Sequence, residues 1–438
     1  MTFGIKPETK KVILLSIAFF CISWSFTCVN ELKDALFISF VGKEYIKWAK
    51  LLGLIVLIPA ILLYSRLVDS LPTFRLLYVY STLYALGCLI GALCISDQLL
   101  TGYQHLFGWI FYFFMEGFWP FVVGVFWAFL TSISTPTESK KNYVFIIGSL
   151  QLGGIFSSLF CWTLLTQSNY SCIAIHQIIL IVTALLLLVV PLTVATLFKI
   201  ITKDLLQGYQ PTKIEVATKE KKTNLLKNLF NGLILFIKKP YILGIFGMLF
   251  FWEAVNIVFS YQRLVAGANS CENLSQLSSL FFGQAFLLYS IGLIIVLIGS
   301  GPLINKLGYK KCLVFIPTII GVLIAYYLFF PTLENLSLVY ILLRAINFAF
   351  ASPLREVLYT PTSSEIRFKS KSWIDVFGSR FAKSFGSYYN IFTATLAESV
   401  LFAAHSVFFA VIISLWIVTA YFLGRHFEEA IKKNELIS

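Results

Sequence analysis

Lys383 stands about midway along an apolar run from Trp373 to Ala397. An ammonium in hydrocarbon costs about 2.5–3.5 kcal/mol on insertion scales, so a cation at that depth is a functional group by default. Other ionisable residues lie inside similar runs: Glu31, Lys33 and Asp34 in the first, Glu116 in the fourth, Glu253 in the seventh, Arg344 in the tenth, and Asp375 and Arg380 beside Lys383. A lipid-facing helix carries almost no such groups, so they imply a polar cavity through the bilayer. The excess of cations in the second half favours an anionic cargo. A lysine ammonium is a compact charge that can follow a phosphate, whereas an arginine fork grips it bidentately. Arg380 is one turn before Lys383 on the same helical face, and Arg344 lies at similar depth in the neighbouring run. Both are candidate contacts for that anion, with pairing to Asp375, Glu356 or Glu116 as the alternative role. Glu116 and Glu253 are candidates for balancing the lysines when the site is empty or, if burial raises their pKa, for carrying a coupling proton. Asp34 reads as an orienting partner of Lys33. Tyr261, Trp119, Trp127 and Phe118 are candidates for stacking an aromatic base.

Composition explains why these charges are unusual. Of 438 residues, 58% are hydrophobic and 13% charged, and the mean hydropathy is +0.84. These values belong to an all-α polytopic membrane protein. Helical spans need roughly 17–25 apolar residues, and twelve candidates meet this: 12–40, 45–65, 76–96, 105–132, 143–166, 175–198, 241–265, 276–299, 312–330, 336–359, 373–397 and 399–423. The first is longer than a bilayer requires, so its end, from Asn30 to Leu36, is expected to be tilted or broken.

Lysine and arginine placement sets the expected orientation. With a cytoplasmic N-terminus, the inner segments hold Lys6, Lys10 and Lys11; Arg66 and Arg75; Lys140 and Lys141; Lys306, Lys310 and Lys311; Arg367, Lys369 and Lys371; and Arg425, Lys432 and Lys433. The exception is the first outer loop, near Lys43, Lys47 and Lys50, part of which belongs to the second helix. The longest hydrophilic stretch, Lys199 to Lys239, is basic and would also lie inside. The expected organisation is therefore an N-terminal six-helix half over 1–198, a basic cytoplasmic linker over 199–240, a C-terminal half over 241–423 and a cytoplasmic tail over 424–438. Topology and anionic lipid heads account for much of the formal charge of +13, and nucleic-acid binding is not needed to explain it.

The N-terminus, Met1 to Lys11, resembles neither a cleaved signal nor a transit peptide, which favours a bacterial inner membrane. The eight cysteines form no C-x-x-C pair. Cys172 and Cys271 fall in expected outer loops, where a disulfide or two free thiols are both open. The histidines His105, His176, His405 and His426 are scattered without metal-ligand spacing, so no metal or cofactor is implied. Gly378-Ser-Arg-Phe-Ala-Lys383-Ser384 lacks the second glycine and the preceding strand of a phosphate-cradling loop. It reads as helix, and no hydrolytic machinery accompanies it.

The segment Gly301-Pro-Leu-Ile-Asn305-Lys306-Leu-Gly308-Tyr-Lys310-Lys311 resembles the loop that major facilitator transporters carry between helices 2 and 3 and again between 8 and 9. The first-half counterpart, Tyr64 to Arg75, keeps charges but no glycines. Lys33-Asp34-Ala-Leu, the Met-Glu116-Gly-Phe-Trp-Pro segment with Val-Phe-Trp127-Ala-Phe, and the late block Arg355-Glu356, Pro361, Lys369-Ser-Lys371-Ser-Trp-Ile374-Asp375, Lys383-Ser384 and Gly386 resemble the ATP/ADP translocases of obligate intracellular bacteria and plastids. The resemblance covers essentially the whole chain. It implies a major-facilitator-like fold, a nucleotide substrate such as ATP or ADP, and a multi-pass protein acting as a monomer with both termini in the cytoplasm. It also carries a required lysine of helix 1 onto Lys33, a helix 4 glutamate onto Glu116 and a late lysine onto Lys383. Three departures stand out. Asn30 replaces an arginine three residues before the helix 1 lysine. In helix 7 the family pattern falls near Ile257, in Asn256-Ile-Val-Phe-Ser-Tyr261-Gln-Arg263, leaving Glu253 one turn early. A glycine pair has become Phe385-Gly386. Asn30, Asn256 and Tyr261 complete the candidate substrate-binding residues. Two transport modes stay open, ATP/ADP exchange and proton-coupled symport of nucleotides or another organic anion. An intramembrane enzyme would need a paired His/Asp or metal constellation that the sequence does not offer.

Overall fold

The structure is a computed structural model that describes residues 6–95, 102–134, 136–202, 206, 239–298, 306–362, 374 and 378–433. Among the described residues its main elements are twelve helices: α1 Pro7–Phe40, α2 Ile46–Ser70, α3 Thr73–Cys94, α4 Gln104–Ile133, α5 Pro136–Gln167, α6 Cys172–Ile200, α7 Pro240–Ser270, α8 Leu274–Ile298, α9 Tyr309–Phe329, α10 Leu333–Val357, α11 Ser379–Thr393 and α12 Glu398–Lys433. Ten of these are long and apolar enough to cross a bilayer, where every backbone polar group must be satisfied within the helix. The 25-residue α2 and the 15-residue α11 are helical outside that set. Side-chain caps appear where the chain enters a helix from a loop: Ser171 Oγ accepts from Ala174 N at 3.3 Å, and Thr332 Oγ1 from Asn335 N at 3.2 Å.

The helices pack as two compact units. One comprises Met1–Ile214 with Gly267–Leu293, the other Glu215–Ala266 with Ile294–Ser438. In the first, α1 packs along α5 and α6, and α3 along α6. Its core is aromatic and aliphatic, with Phe19 stacked on Phe126 at 4.3 Å. Helices α1 and α5 approach closely because the contact is small: a Cβ on Gly153 would lie 2.6 Å from the Phe20 carbonyl oxygen, and Ser23 Oγ donates to the Leu150 carbonyl at 2.6 Å. In the second unit α9 packs along α12.

One expectation needs correction. Helix α1 is continuous through Phe40, so its polar end is not a break. The interruptions fall instead in α4 and α10, which contain π-helical turns at Trp119–Val123 and Asn347–Ala351. A proline lies in or beside each turn: Pro120 has no N–H for the Glu116 carbonyl, and Pro353 none for that of Ala349. Helix α12 runs on to Lys433. Cys172 and Cys271 are both free thiols.

Candidate functional site

The last turns of α1 are buried on every side from Glu31 to Ile38, although they carry three charged residues. Such burial requires partners. Lys33 Nζ lies 3.0 Å from Asp34 Oδ1 and 3.0 Å from Glu116 Oε2, and 4.8 Å above the centre of the Tyr112 ring. Asp34 turns its other oxygen, Oδ2, toward Lys50 Nζ of α2 at 3.9 Å. Lys33, Lys50, Asp34 and Glu116 therefore form a cluster of two cations and two anions. Its members differ in freedom. The side chains of Lys33 and Asp34 are each 6% exposed, whereas that of Glu116 is 38% exposed. Glu116 sits three residues before the π turn of α4, where the main chain is widened. Of the two carboxylates on Lys33, that of Glu116 is the more exposed. Asn30, one turn before Lys33, donates from its amide to Glu31 Oε1 at 3.0 Å.

The second unit brings α7 and α11 together around another opposite-charge pair. Glu253 Oε1 lies 3.8 Å from Lys383 Nζ and accepts from Ser379 Oγ at 3.2 Å. The Lys383 side chain is 36% exposed and that of Glu253 12%. Close approach of the two helices is permitted at Gly386, where a Cβ would meet the Ala254 carbonyl oxygen at 3.0 Å and Ile257 Cβ at 3.2 Å. One turn on, Asn390 Nδ2 donates to the Ile257 carbonyl at 3.4 Å. Glu253 is thus the partner of Lys383 despite its displacement along α7, because a shift of one turn keeps a side chain on the same helical face.

The other expected residues fall as follows. Arg380 is half-buried one turn before Lys383. Arg344 donates to the Tyr340 hydroxyl and lies over the Tyr340 and Phe348 rings, and the buried Arg263 donates to the same hydroxyl at 3.2 Å. Asn256, one turn after Glu253, and Tyr261 are half-buried on α7. Asp375 and residues 363–373 lie outside the described residues, as do 301–305 of the glycine-containing loop. Phe118 is fully buried against Tyr84, with ring centres 5.0 Å apart, and is part of the core rather than a surface for stacking a base. Trp127 packs edge-on against Phe19. Sequence reasoning passed over Lys50 as one of three lysines near a loop, although it stands at the head of the apolar run Leu51–Ile58. Ser379 gave no signal of its own.

With this geometry in view, comparisons with known proteins are informative. The family described as TLC ATP/ADP transporter matches residues 2–95 and 336–427, which include Asn30, Lys33, Lys50, Arg344 and Lys383. ADP,ATP carrier protein 3 of Rickettsia bellii is 22% identical across 98% of this chain and 96% of its own length. ADP,ATP carrier protein 2, chloroplastic, of Arabidopsis thaliana is 29% identical across 32% of this chain and 27% of its own. Among solved structures, a D-xylose–proton symporter superposes with a TM-score of 0.66 at 12% identity, covering 95% of this chain and 97% of its own. The nucleoside transporter NupG superposes with a TM-score of 0.55 at 16% identity, covering 96% and 98%. At such identities these structures establish the fold, that of major facilitator transporters.

Proposed function

From the premise that this chain belongs to the TLC ATP/ADP transporter family, we propose that it exchanges ATP for ADP across a bacterial inner membrane by alternating access, with both termini in the cytoplasm, the 199–240 segment as the inner linker between two halves, and the monomer as the working form. Lys33 in the first unit and Lys383 in the second are phosphate-binding lysines, with Asn30, Arg380, Arg344, Asn256, Tyr261 and Asp375 as further substrate-binding residues. The observation that carries this reading is the same device in each unit: a lysine on one helix held by a glutamate of another. A phosphate entering either site replaces a carboxylate with another anion, so the lysine is never left without a counter-charge, and the glutamate recovers it when cargo leaves. The exchange keeps the electrostatic cost of an empty cavity small. The nucleotide passes intact.

The deciding experiment is uptake of radiolabelled ATP by intact cells expressing the chain, with and without unlabelled ADP inside. Acceleration by internal ADP, and competition by nucleotides over nicotinamide dinucleotide or simple organic phosphates, is the expected result. Uptake that ignores internal nucleotide and stops when the pH gradient is collapsed would replace exchange by proton symport, with Glu116 or Glu253 as the carrier.

A further inference from the structure

Helix α1 supplies a single cation to its site, because position 30 carries an amide already bonded to Glu31. A nucleoside triphosphate carries more charge than one ammonium can answer. We propose that Lys50 of α2 is the second anion-binding cation of this site and sets its preference for highly charged nucleotides. The inference rests on the nucleotide reading above and deepens it.

Three observations support it. Asp34 is shared, presenting Oδ1 to Lys33 at 3.0 Å and Oδ2 to Lys50 at 3.9 Å, so one carboxylate orients both ammonium groups around a common point. The Lys50 side chain is 12% exposed, a burial that a solvated loop lysine does not show. The face of α2 that carries Lys50 also overlies Glu116: at Gly53, one turn on, a Cβ would lie 3.7 Å from Glu116 Cγ. Lys50 therefore flanks the one carboxylate of the cluster that is free to leave. When an anion displaces Glu116 from Lys33, Asp34 stays behind as the fixed counter-charge. Two ammonium groups then face the newcomer, and each further phosphate adds charge within their reach.

The alternative is that Lys50 only neutralises Asp34, and a ladder of ligand charge separates the two. Dissociation constants for AMP, ADP and ATP, and for inorganic phosphate, diphosphate and triphosphate, are measured on the full-length protein in lipid nanodiscs for wild type, Lys50→Gln and Lys50→Arg. Lys50→Gln keeps Asp34 paired with Lys33, and the ligand-free melting temperature of each variant records whether the fold survives. The expected result is a loss graded with charge, roughly ten- to a hundredfold for the triphosphates as for a lost charge-assisted contact and smallest for the monophosphates, with Lys50→Arg retaining the gradient. A loss equal along the ladder, or none, would overturn the proposal and leave Lys50 as a neutraliser. If wild type bound the inorganic ladder but no nucleotide, the nucleotide reading would fall and the inorganic series would decide Lys50 alone. Binding of neither series would end both.

Discussion

Lys33 and Lys383 look equivalent as isolated lysines in apolar runs, but removing their charges has different structural consequences. In Lys33→Gln a cation with a 6% exposed side chain disappears from between two carboxylates. Breaking a buried pair by deleting one partner costs about 3–5 kcal/mol. Asp34 retains Lys50 at 3.9 Å, and Glu116, 38% exposed, can turn toward solvent, so the lower end, about 3 kcal/mol, is expected. In Lys383→Gln the missing partner stood 3.8 Å from Glu253, an attraction of about 4 kcal/mol at an effective dielectric of about 20. Lys383 is 36% exposed and solvent screens it, which brings the net loss to about 0–1 kcal/mol. Glu253 also keeps the Ser379 hydroxyl. Both variants lose a phosphate contact, and ATP uptake below saturation should fall by roughly ten- to a hundredfold or more in each. The assay pairs uptake in intact cells with melting of the purified, ligand-free protein in nanodiscs. Only Lys33→Gln should melt clearly lower, and adding Glu116→Gln should restore its melting but not its uptake. Equal melting of the two single variants would refute the account of the buried cluster, and normal uptake by Lys383→Gln would remove that lysine from the site.

Two further outcomes follow from the same geometry. Gly386→Val places a side chain against the Ala254 carbonyl and Ile257 and should destabilise the α7–α11 contact by about 1–3 kcal/mol, as overpacking does; melting in nanodiscs checks it, and an unchanged melting temperature would mean the helices are not in contact there. Exchange of ATP with four negative charges for ADP with three moves one net charge per cycle, worth about 2.3 kcal/mol per 100 mV, so clamping the membrane potential across proteoliposomes should shift the exchange rate or the final distribution, and indifference to voltage would exclude that stoichiometry.

The membrane class and most spans were legible because hydropathy over about twenty residues is set by the bilayer and not by neighbouring helices. Lys33 and Asp34 were legible for a related reason: charge in an apolar run needs an explanation wherever it occurs. Partners were harder. Glu116 is far from Lys33 in sequence, and nothing local says which of several carboxylates meets which cation. Glu253 looked out of place only while position was counted along the chain. Lys50 was hidden by Lys43 and Lys47, which are exposed or half-exposed near the same loop, so a burial difference among three similar residues had no trace in composition. The break expected in α1 was inferred from its excess length. Polar residues in a membrane helix need partners, not a break, and here they have them.

What the sequence hid most completely is its internal repetition. In α4 the π turn begins at Trp119, three residues after Glu116, and in α10 it begins at Asn347, three residues after Arg344. The nearby prolines sit at different places relative to those turns, Pro120 inside one and Pro353 just beyond the other, so no aligned motif links the two helices. The close contacts repeat in the same way. Gly153 of α5 faces the Phe20 carbonyl of α1, and Gly386 of α11 faces the Ala254 carbonyl of α7, with unrelated residues around each. In both units a charged side chain thus stands just before a widened stretch of helix, and a lysine-bearing or glutamate-bearing helix is held against its neighbour by a missing Cβ. A tight glycine contact fixes where the helices meet, whereas a π turn leaves the helix beside it easier to deform. Under the exchange proposed above, Glu116 would be the charge that moves, beside the widened turn of α4, while Lys33 stays on α1, which packs tightly against α5 at Gly153.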